Sequence, residues 1–364
     1  MKKRLGVSIY PHHSDVARDM DYLETAHRYG VERVFTCLLS VDGNKDKILA
    51  DFKESLACAN RLGMEVIVDI SPRVLKELQL SYDDLVFFHE LGAAGIRLDM
   101  GFSGLEEAKM TYNPYGLNIE INMSNATRYL DNIMCYQPNR DRLIGCHNFY
   151  PHKYAGLAYD FFIECSEKFK VHGLRTAAFV SSQAASFGPW PIVEGLPTLE
   201  MHRDLPIDVQ AKHLYATGLI DDVIVGNAYA SEEELQRLSE VNREMISLAV
   251  TLHEGVTDLE RKIVFDEFHF YRGDVSDYMI RSTQSRVKYR GQPFPPHNTQ
   301  PIRRGDILIE NDLYGQYAGE LQIARRDMEN SGKTNVVGRI REGEIFLIDY
   351  INPWGKFSFT EYKR

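Results

Sequence analysis

The sequence predicts an α/β chain: a closed (β/α)8 barrel of the TIM type followed by a smaller, mostly-β domain. Three observations carry that expectation. Between Leu5 and Asn227 one unit recurs eight times, a short apolar run, a polar tip and an amphipathic stretch. Strands that alternate with helical stretches build βαβ units and a parallel sheet, and eight of them suit a closed barrel. After about Leu238 the helical periodicity fades into strand-like runs divided by Gly, Pro and Asn turns, and a chain of 364 residues has room for both parts.

The apolar runs give the barrel strands in order: Leu5–Tyr10, Val34–Ser40, Val66–Ile70, Ile96–Asp99, Ile119–Asn122, Ile144–Phe149, Ala177–Ser181 and Val223–Gly226. Ser14, ahead of Val16, Met20 and Leu23, reads as the cap of the first helix. The second helix spans about Asp46–Arg61 and stops at Gly63; the sixth spans about Leu157–Phe169 and stops at Gly173, each glycine suiting a left-handed C-cap. Ser231-Glu232-Glu233-Glu234 opens the eighth with a capping box, and its carboxylates disfavour phosphate at that helix start. The domain boundary is expected at 243/244. Beyond it, strands are expected at Ser247–Leu252, Lys262–Phe270, Asp306–Ile309 and Ile345–Ile351, with a long loop at Arg290–His297.

Composition excludes several classes. Hydrophobic residues make up 44% of the chain, enough for a real core. No stretch approaches the ~20 apolar residues of a membrane helix. The basic start followed by Leu5–Tyr10 is too short an apolar run for a signal peptide, which leaves the cytoplasm as the expected compartment. Cys37, Cys58, Cys135, Cys146 and Cys165 show no Cys-x-x-Cys spacing and no disulfide framework. A net charge of −10 argues against nucleic-acid or membrane-surface binding. His12 and His13 are adjacent and point to opposite faces, and no zinc, nucleophile-elbow or phosphate-loop motif occurs, so neither metal nor cofactor is expected.

A TIM-type barrel carries its chemistry at the carboxyl ends of its strands. Those ends hold Asp69, Arg97, Asp99, Glu120, Asn122, His147 and Asn148. Alternation puts Arg97 and Asp99 on one face of the fourth strand, and Glu120, Asn122 and Ser124 on one face of the fifth. An inward Arg–Asp couple also has a purely structural reading, each side chain holding the other's charge. The sixth strand leads into His147, Asn148 and Tyr150, groups suited to sugar hydroxyl, acetamido or phosphate contacts. The connection Gly188–Arg203 is stiffened by three prolines and carries Trp190, Glu194, Glu200, His202 and Arg203. It reads as a lid with Trp190 stacking on a sugar ring, or as a packed loop with Glu200 paired to Arg203 one turn on. Carboxylates, amides, His and Arg around a barrel mouth suit glycoside hydrolysis, which needs one protonated acid and one ionised carboxylate or its substitute. The rivals are an isomerase or aldolase acting on another phosphosugar, and a non-catalytic sugar or peptide binder. No strand end offers the lysine a Schiff-base aldolase needs.

Six strings resemble one bacterial family, the 6-phospho-N-acetylmuramidases: Ile-Arg-Leu-Asp-Met-Gly-Phe (96–102), Ile-Asn-Met-Ser-Asn (121–125), His-Asn-Phe-Tyr-Pro (147–151), Glu-Gly-Leu-Pro-Thr-Leu-Glu-Met-His-Arg (194–203), Arg-Arg-Gly-Asp-Ile-Leu-Ile-Glu-Asn-Asp-Leu-Tyr-Gly (303–315) and Asn-Val-Val-Gly-Arg-Ile (335–340). The resemblance implies a TIM-type barrel followed by a cyclophilin-like β domain. It also implies hydrolysis of the β-1,4 bond of MurNAc-6-phosphate–GlcNAc during cell-wall sugar recovery in the cytoplasm. It assigns no catalytic pair, so the roles rest on the residues themselves. Asp99 and Glu200 are expected as the carboxylate pair, with Glu194 and Glu120 in reserve. Arg97, Asn122, His147, Asn148, Tyr150, Trp190, His202 and Arg203 are expected to bind substrate, with Lys153, Arg303 and Arg304 as further cations for its phosphate and lactyl groups. The expected partner is the phosphorylated disaccharide. The second domain either closes one side of the site or serves stability or homodimer formation.

Overall fold

Eight parallel strands close on themselves: β1 (Arg4–Ile9), β2 (Val31–Leu38), β3 (Glu65–Ile70), β4 (Gly95–Leu98), β5 (Asn118–Asn122), β6 (Leu143–Cys146), β7 (Arg175–Val180) and β8 (Asp222–Val225). Pairing of Arg4 with Asp222 and of Val7 with Val225 joins the last strand to the first. The computed structural model describes residues 1–11, 13–38, 45–190 and 194–362. His12, the expected end of the second strand at Leu39 and Ser40, and residues 191–193 of the long connection lie outside the described residues.

The strands are legible as apolar runs because a parallel barrel buries both of their faces. On β2, Phe35 and Cys37 join Tyr10, Cys146, Phe179 and Ile224 in one cluster, while Val34 and Leu38 on the other face are equally buried. The helices Lys45–Arg61 and Tyr159–Lys170 are followed by Gly63 and Gly173 at φ +75° and +70°. The box at Ser231 forms as expected, Ser231 Oγ accepting from Glu234 N at 3.2 Å and Glu234 Oε2 from Ser231 N at 3.1 Å. The first helix, Val16–Arg28, is capped by Asp15 instead of Ser14. Asp15 Oδ1 accepts from Arg18 N at 3.2 Å, whereas the Ser14 hydroxyl turns back to the Tyr10 carbonyl at 2.9 Å.

An ion layer crosses the barrel near the amino ends of its strands. Arg33, wholly buried, bonds Asp222 at 2.9 Å and also pairs with Glu120. Asp222 additionally receives Arg4 at 2.8 Å and Arg175 at 2.6 Å. Burial pulls the Asp222 carboxyl upward, but its three guanidinium partners outweigh that and hold it down at about 2.

Residues 1–240 and 241–364 form two compact units. The second is built on a seven-stranded sheet in the order β10-β15-β9-β14-β12-β13-β11. Its strands are β9 (Ile246–Leu252), β10 (His269–Phe270), β11 (Met279–Ser282), β12 (Asp306–Glu310), β13 (Leu321–Ala324), β14 (Thr334–Ile340) and β15 (Lys356–Glu361). All neighbours are antiparallel except β15 with β9. Two expected strands are corrected. Of Lys262–Phe270 the first four residues belong to the helix Asp258–Phe265, which Thr257 and Glu260 start with a capping box, and only His269–Phe270 is strand. Ile345–Ile351 lies largely in the 3-10 segment Glu342–Tyr350, where buried Glu344 accepts from Ala249 N at 2.8 Å. No helix of the described residues is long and apolar enough to cross a membrane.

Candidate active site

A cavity of about 230 Å³ opens at the carboxyl ends of the barrel strands, lined by Phe35, Cys37, Asp69, Arg97, Asp99, Asn148, Phe149, Phe179 and Trp190. One wall is charged and the other aromatic. On the aromatic side Phe149 lies 6.0 Å from Phe35, 5.1 Å from Phe179 and 6.2 Å from Trp190, ring centre to ring centre. Trp190, expected from the sequence to stack on a sugar ring, completes the aromatic side.

Arg97 organises the charged wall. The register sets Arg97 of β4 beside Asp69 of β3, and Arg97 Nη1 donates to Asp69 Oδ1 at 2.8 Å and to Asp99 Oδ1 at 3.3 Å. Its Nη2 donates to Asn148 Oδ1. Asp69 and Asp99 thus flank one guanidinium, yet their surroundings differ. The Asp69 side chain is 9% exposed and that of Asp99 is 51% exposed. Burial pushes the Asp69 carboxyl up to about 6, against the opposing pull of Arg97. Cys37, whose thiol burial also pushes up, donates to Asp69 Oδ2 at 3.7 Å.

Asn122, Ser124 and His147 shape this wall from behind. Asn122 Nδ2 reaches Asp99 Oδ1 at 3.4 Å, and Asn122 Oδ1 accepts from Ser124 N at 2.8 Å. Ser166 gives its hydroxyl hydrogen to the Phe162 carbonyl at 2.7 Å, so His147 Nε2–H donates to Ser166 Oγ at 2.9 Å. His147 Nδ1 then accepts from Ser124 Oγ at 3.2 Å, and the same oxygen takes the Asn148 N–H at 2.8 Å. Burial pushes the imidazole down to about 3, which keeps it neutral. His147 is thus a neutral ring tied through Ser124 to the Asn148 backbone. Tyr150 is half-buried beside Ser124, its phenol pushed up by burial.

The remaining expected residues go elsewhere. Glu120 belongs to the ion layer with Arg33, its side chain wholly buried. Glu194 is exposed and accepts from Lys153 N at 3.0 Å. Glu200 does not line the cavity. It braces the connection after β6, accepting from Tyr154 N and Gly156 N at 2.8 Å each and from Arg203 at 2.7 and 2.6 Å. The Arg203 bonds hold its carboxyl down at about 2, an ionised group unfit to act as an acid near neutrality. The rest of Arg203 serves the Glu194, Gly195 and His152 carbonyls, so all five of its N–H groups are committed and none is left for phosphate. His202 is buried against His213, Nε2 to Nδ1 2.7 Å. Among the described residues no group of three or more His, Cys, Asp or Glu side chains converges to hold a metal ion.

Glu200→Gln is accordingly expected to act on the loop. An amide nitrogen would face either a backbone N–H or Arg203, and lost charge-assisted bonds cost about 2 kcal/mol. Urea unfolding and faster proteolysis at residues 152–156 measure this, and a loss of kcat by orders of magnitude with unchanged stability would contradict it.

Asp69, one of the strand-end side chains but not among the expected site residues, lines the cavity. The register supplies what distinguishes it: one residue before the end of β3 it pairs with Arg97, where burial and attraction to that cation act on it together.

Two family models match the chain. One described as 6-phospho-N-acetylmuramidase, N-terminal, covers residues 5–240, and one described as 6-phospho-N-acetylmuramidase, C-terminal, covers residues 246–360. No curated protein matches. Among solved structures, an uncharacterized Bacillus cereus protein is 52% identical with a TM-score of 0.93, the match covering 99% of this chain and 100% of that one. A conserved Enterococcus faecalis protein of unknown function is 26% identical with a TM-score of 0.72, covering 98% and 96%.

Proposed function

The chain belongs to the 6-phospho-N-acetylmuramidase family, and from that premise we propose that it hydrolyses the β-1,4 bond between a 6-phosphorylated N-acetylmuramic acid and N-acetylglucosamine. The observation that carries the chemistry is the pair Asp69 and Asp99 on either side of Arg97, facing an aromatic wall. A glycosidic oxygen is a poor leaving group until it is protonated. Asp69, held near 6, is the proton donor: its hydrogen passes to the glycosidic oxygen as the bond to the muramyl C1 breaks. Asp99 is the exposed carboxylate that supports the positive charge developing at C1, either by attacking it or by orienting the acetamido oxygen that does. Asn122, 3.4 Å from Asp99, stands beside that step. Water then adds to C1, its hydroxyl completing the sugar and its second hydrogen restoring Asp69.

The spacing favours retention of configuration. Both Oδ1 atoms contact one Arg97 nitrogen, so they lie within roughly 6 Å of each other, less than an inverting pair with a water between requires. Trp190 and Phe149 are proposed to cover the apolar face of the ring, and Arg97 with Asn148 to bond its polar edge. The cytoplasm is the proposed place of action and cell-wall sugar recovery the proposed context, with residues 241–364 as the cyclophilin-like part.

The phosphate requirement rests on family membership, since Arg97 is the one cation among the described residues lining the cavity. It is tested by comparing kcat/KM for the disaccharide with and without its 6-phosphate. A preference of at least roughly 100-fold for the phosphorylated form is expected, the scale of a site built around a charged group. Equal values would remove phosphate from recognition.

A further inference from the structure

Residues 241–364 enclose a cavity of about 620 Å³ of their own, lined by residues that include Arg272, Arg281, Arg286, Arg290, Gln292 and Gln316. Lysine-free and rich in arginine, it occurs in a segment whose acidic and basic side chains are equal in number, so the whole net charge of −10 belongs to residues 1–240. Against its four guanidinium groups stand two paired carboxylates, with Glu310, whose carboxyl burial pushes up to about 7, near Arg281 and Glu320. Asp274 pairs with Arg272 at 2.6 Å. Glu320, wholly buried, holds two arginines at once: Arg281 at 2.7 Å on Oε1 and Arg286 at 3.1 Å on Oε2.

One buried carboxylate needs one guanidinium for neutrality, and a second leaves a surplus. Arg281 and Arg286 also lie over the Tyr317 ring, 5.8 and 5.0 Å from its centre. Carboxylate and ring together fix both side chains, so little rotamer freedom is left to lose when a ligand arrives. Glu320 Oε1 accepts from Arg281 Nε and lies 2.7 Å from its Nη2, and Oε2 makes only an ion contact with Arg286 Nε and accepts no hydrogen bond, while the Nη groups of Arg286 and the whole guanidinium of Arg290 have no partner among the described residues. Over Asp274 and Glu320 the surplus is two positive charges, with forked donors suited to phosphate oxygens.

We propose that this cavity is a second ligand site, for a small phosphorylated sugar, with Arg281, Arg286 and Arg290 on the phosphate and Gln292 and Gln316 toward the hydroxyls. The cavity has the size of a small-molecule site, and a bare phosphate would fill only a corner of it. The inference does not depend on the glycosidase reading, since every residue named here lies within 241–364.

The test is hydrogen–deuterium exchange of the full chain with N-acetylglucosamine 6-phosphate, N-acetylglucosamine or inorganic phosphate. The sugar phosphate is expected to slow exchange in segments 284–292 and 312–320, at half-saturation at least about tenfold below that of either other probe. Arg286→Gln and Arg290→Gln are each expected to raise that half-saturation about tenfold or more. Arg290 has no partner to lose, so its variant decides the matter if Arg286→Gln disturbs the fold. No slowing in these segments, equal slowing by either simpler probe, or an unchanged half-saturation in Arg290→Gln would overturn the proposal.

Discussion

Replacing Asp69 with Asn is expected to lower kcat by about 10²–10⁴-fold, the range of a lost general acid. The change keeps the shape of the side chain and its contact with Arg97 while removing the proton to be transferred. The pH dependence gives a second signature. The acid works only while protonated, so wild-type activity is expected to fall as the pH rises through about 6, where Asp69 loses its proton. Asp69→Asn has no such proton to lose, and its residual activity is expected to lack that limb. Stability moves the same way. A carboxyl raised above its unfolded value of roughly 3.9 contributes stability that is present below that value and lost as the pH climbs through about 6. The neutral amide escapes this loss, so the melting temperature at neutral pH is expected to hold. A kcat within tenfold of wild type would take Asp69 out of the mechanism.

Asp222→Ala is expected to cost about 3–5 kcal/mol, because it removes the counter-charge that three arginines share and leaves wholly buried Arg33 with Glu120 alone. Arg4 and Arg175 lose a partner as well. At about 2–4 °C per kcal/mol for a unit of this size, the melting temperature should fall by at least roughly 6 °C. The group's held-down value predicts its pH window. Its contribution is present above the unfolded value of roughly 3.9 and disappears as the pH falls through about 2. Urea unfolding at neutral pH measures the loss, and a difference below about 1 kcal/mol would mean that the ion layer only balances its own desolvation.

The barrel was legible because its strands are buried on both faces and its helices end at glycines, signals local in the chain. Arg97 and Asp99 were legible for a related reason, since a period of two places them on one face whatever the surroundings. The second unit was less so. An apolar stretch such as Ile345–Ile351 is compatible with a strand or a tight helix, and the choice was made by Glu344 reaching Ala249 N far away in sequence. The first half of Lys262–Phe270 continues the helix that the capping box at Thr257 starts, and only its last two residues are strand.

The same distinction runs through the site. Arg97, Asp99, Asn148 and Trp190 meet in the cavity, each found from its place at a strand end or in the long connection. Glu200 and Arg203 carried the residue types of an acid and a phosphate ligand, yet the alternative of a local pair describes their contacts. What their spacing did not disclose is that Tyr154 N and Gly156 N arrive to complete the brace. Asp69 shows the converse. Nothing in its neighbours along the chain marks it, and its character comes from the barrel register that buries it beside Arg97.

The central claim is that the chain breaks a muramyl glycosidic bond between C1 and the bridging oxygen, with retention. Mass spectrometry and NMR of the products of MurNAc-6-phosphate–GlcNAc cleaved in ¹⁸O-water test it most directly. The heavy oxygen is expected in the MurNAc-6-phosphate, released first as its β-anomer, with N-acetylglucosamine unlabelled. Label in N-acetylglucosamine, an initial α-anomer, or an intact disaccharide would contradict it.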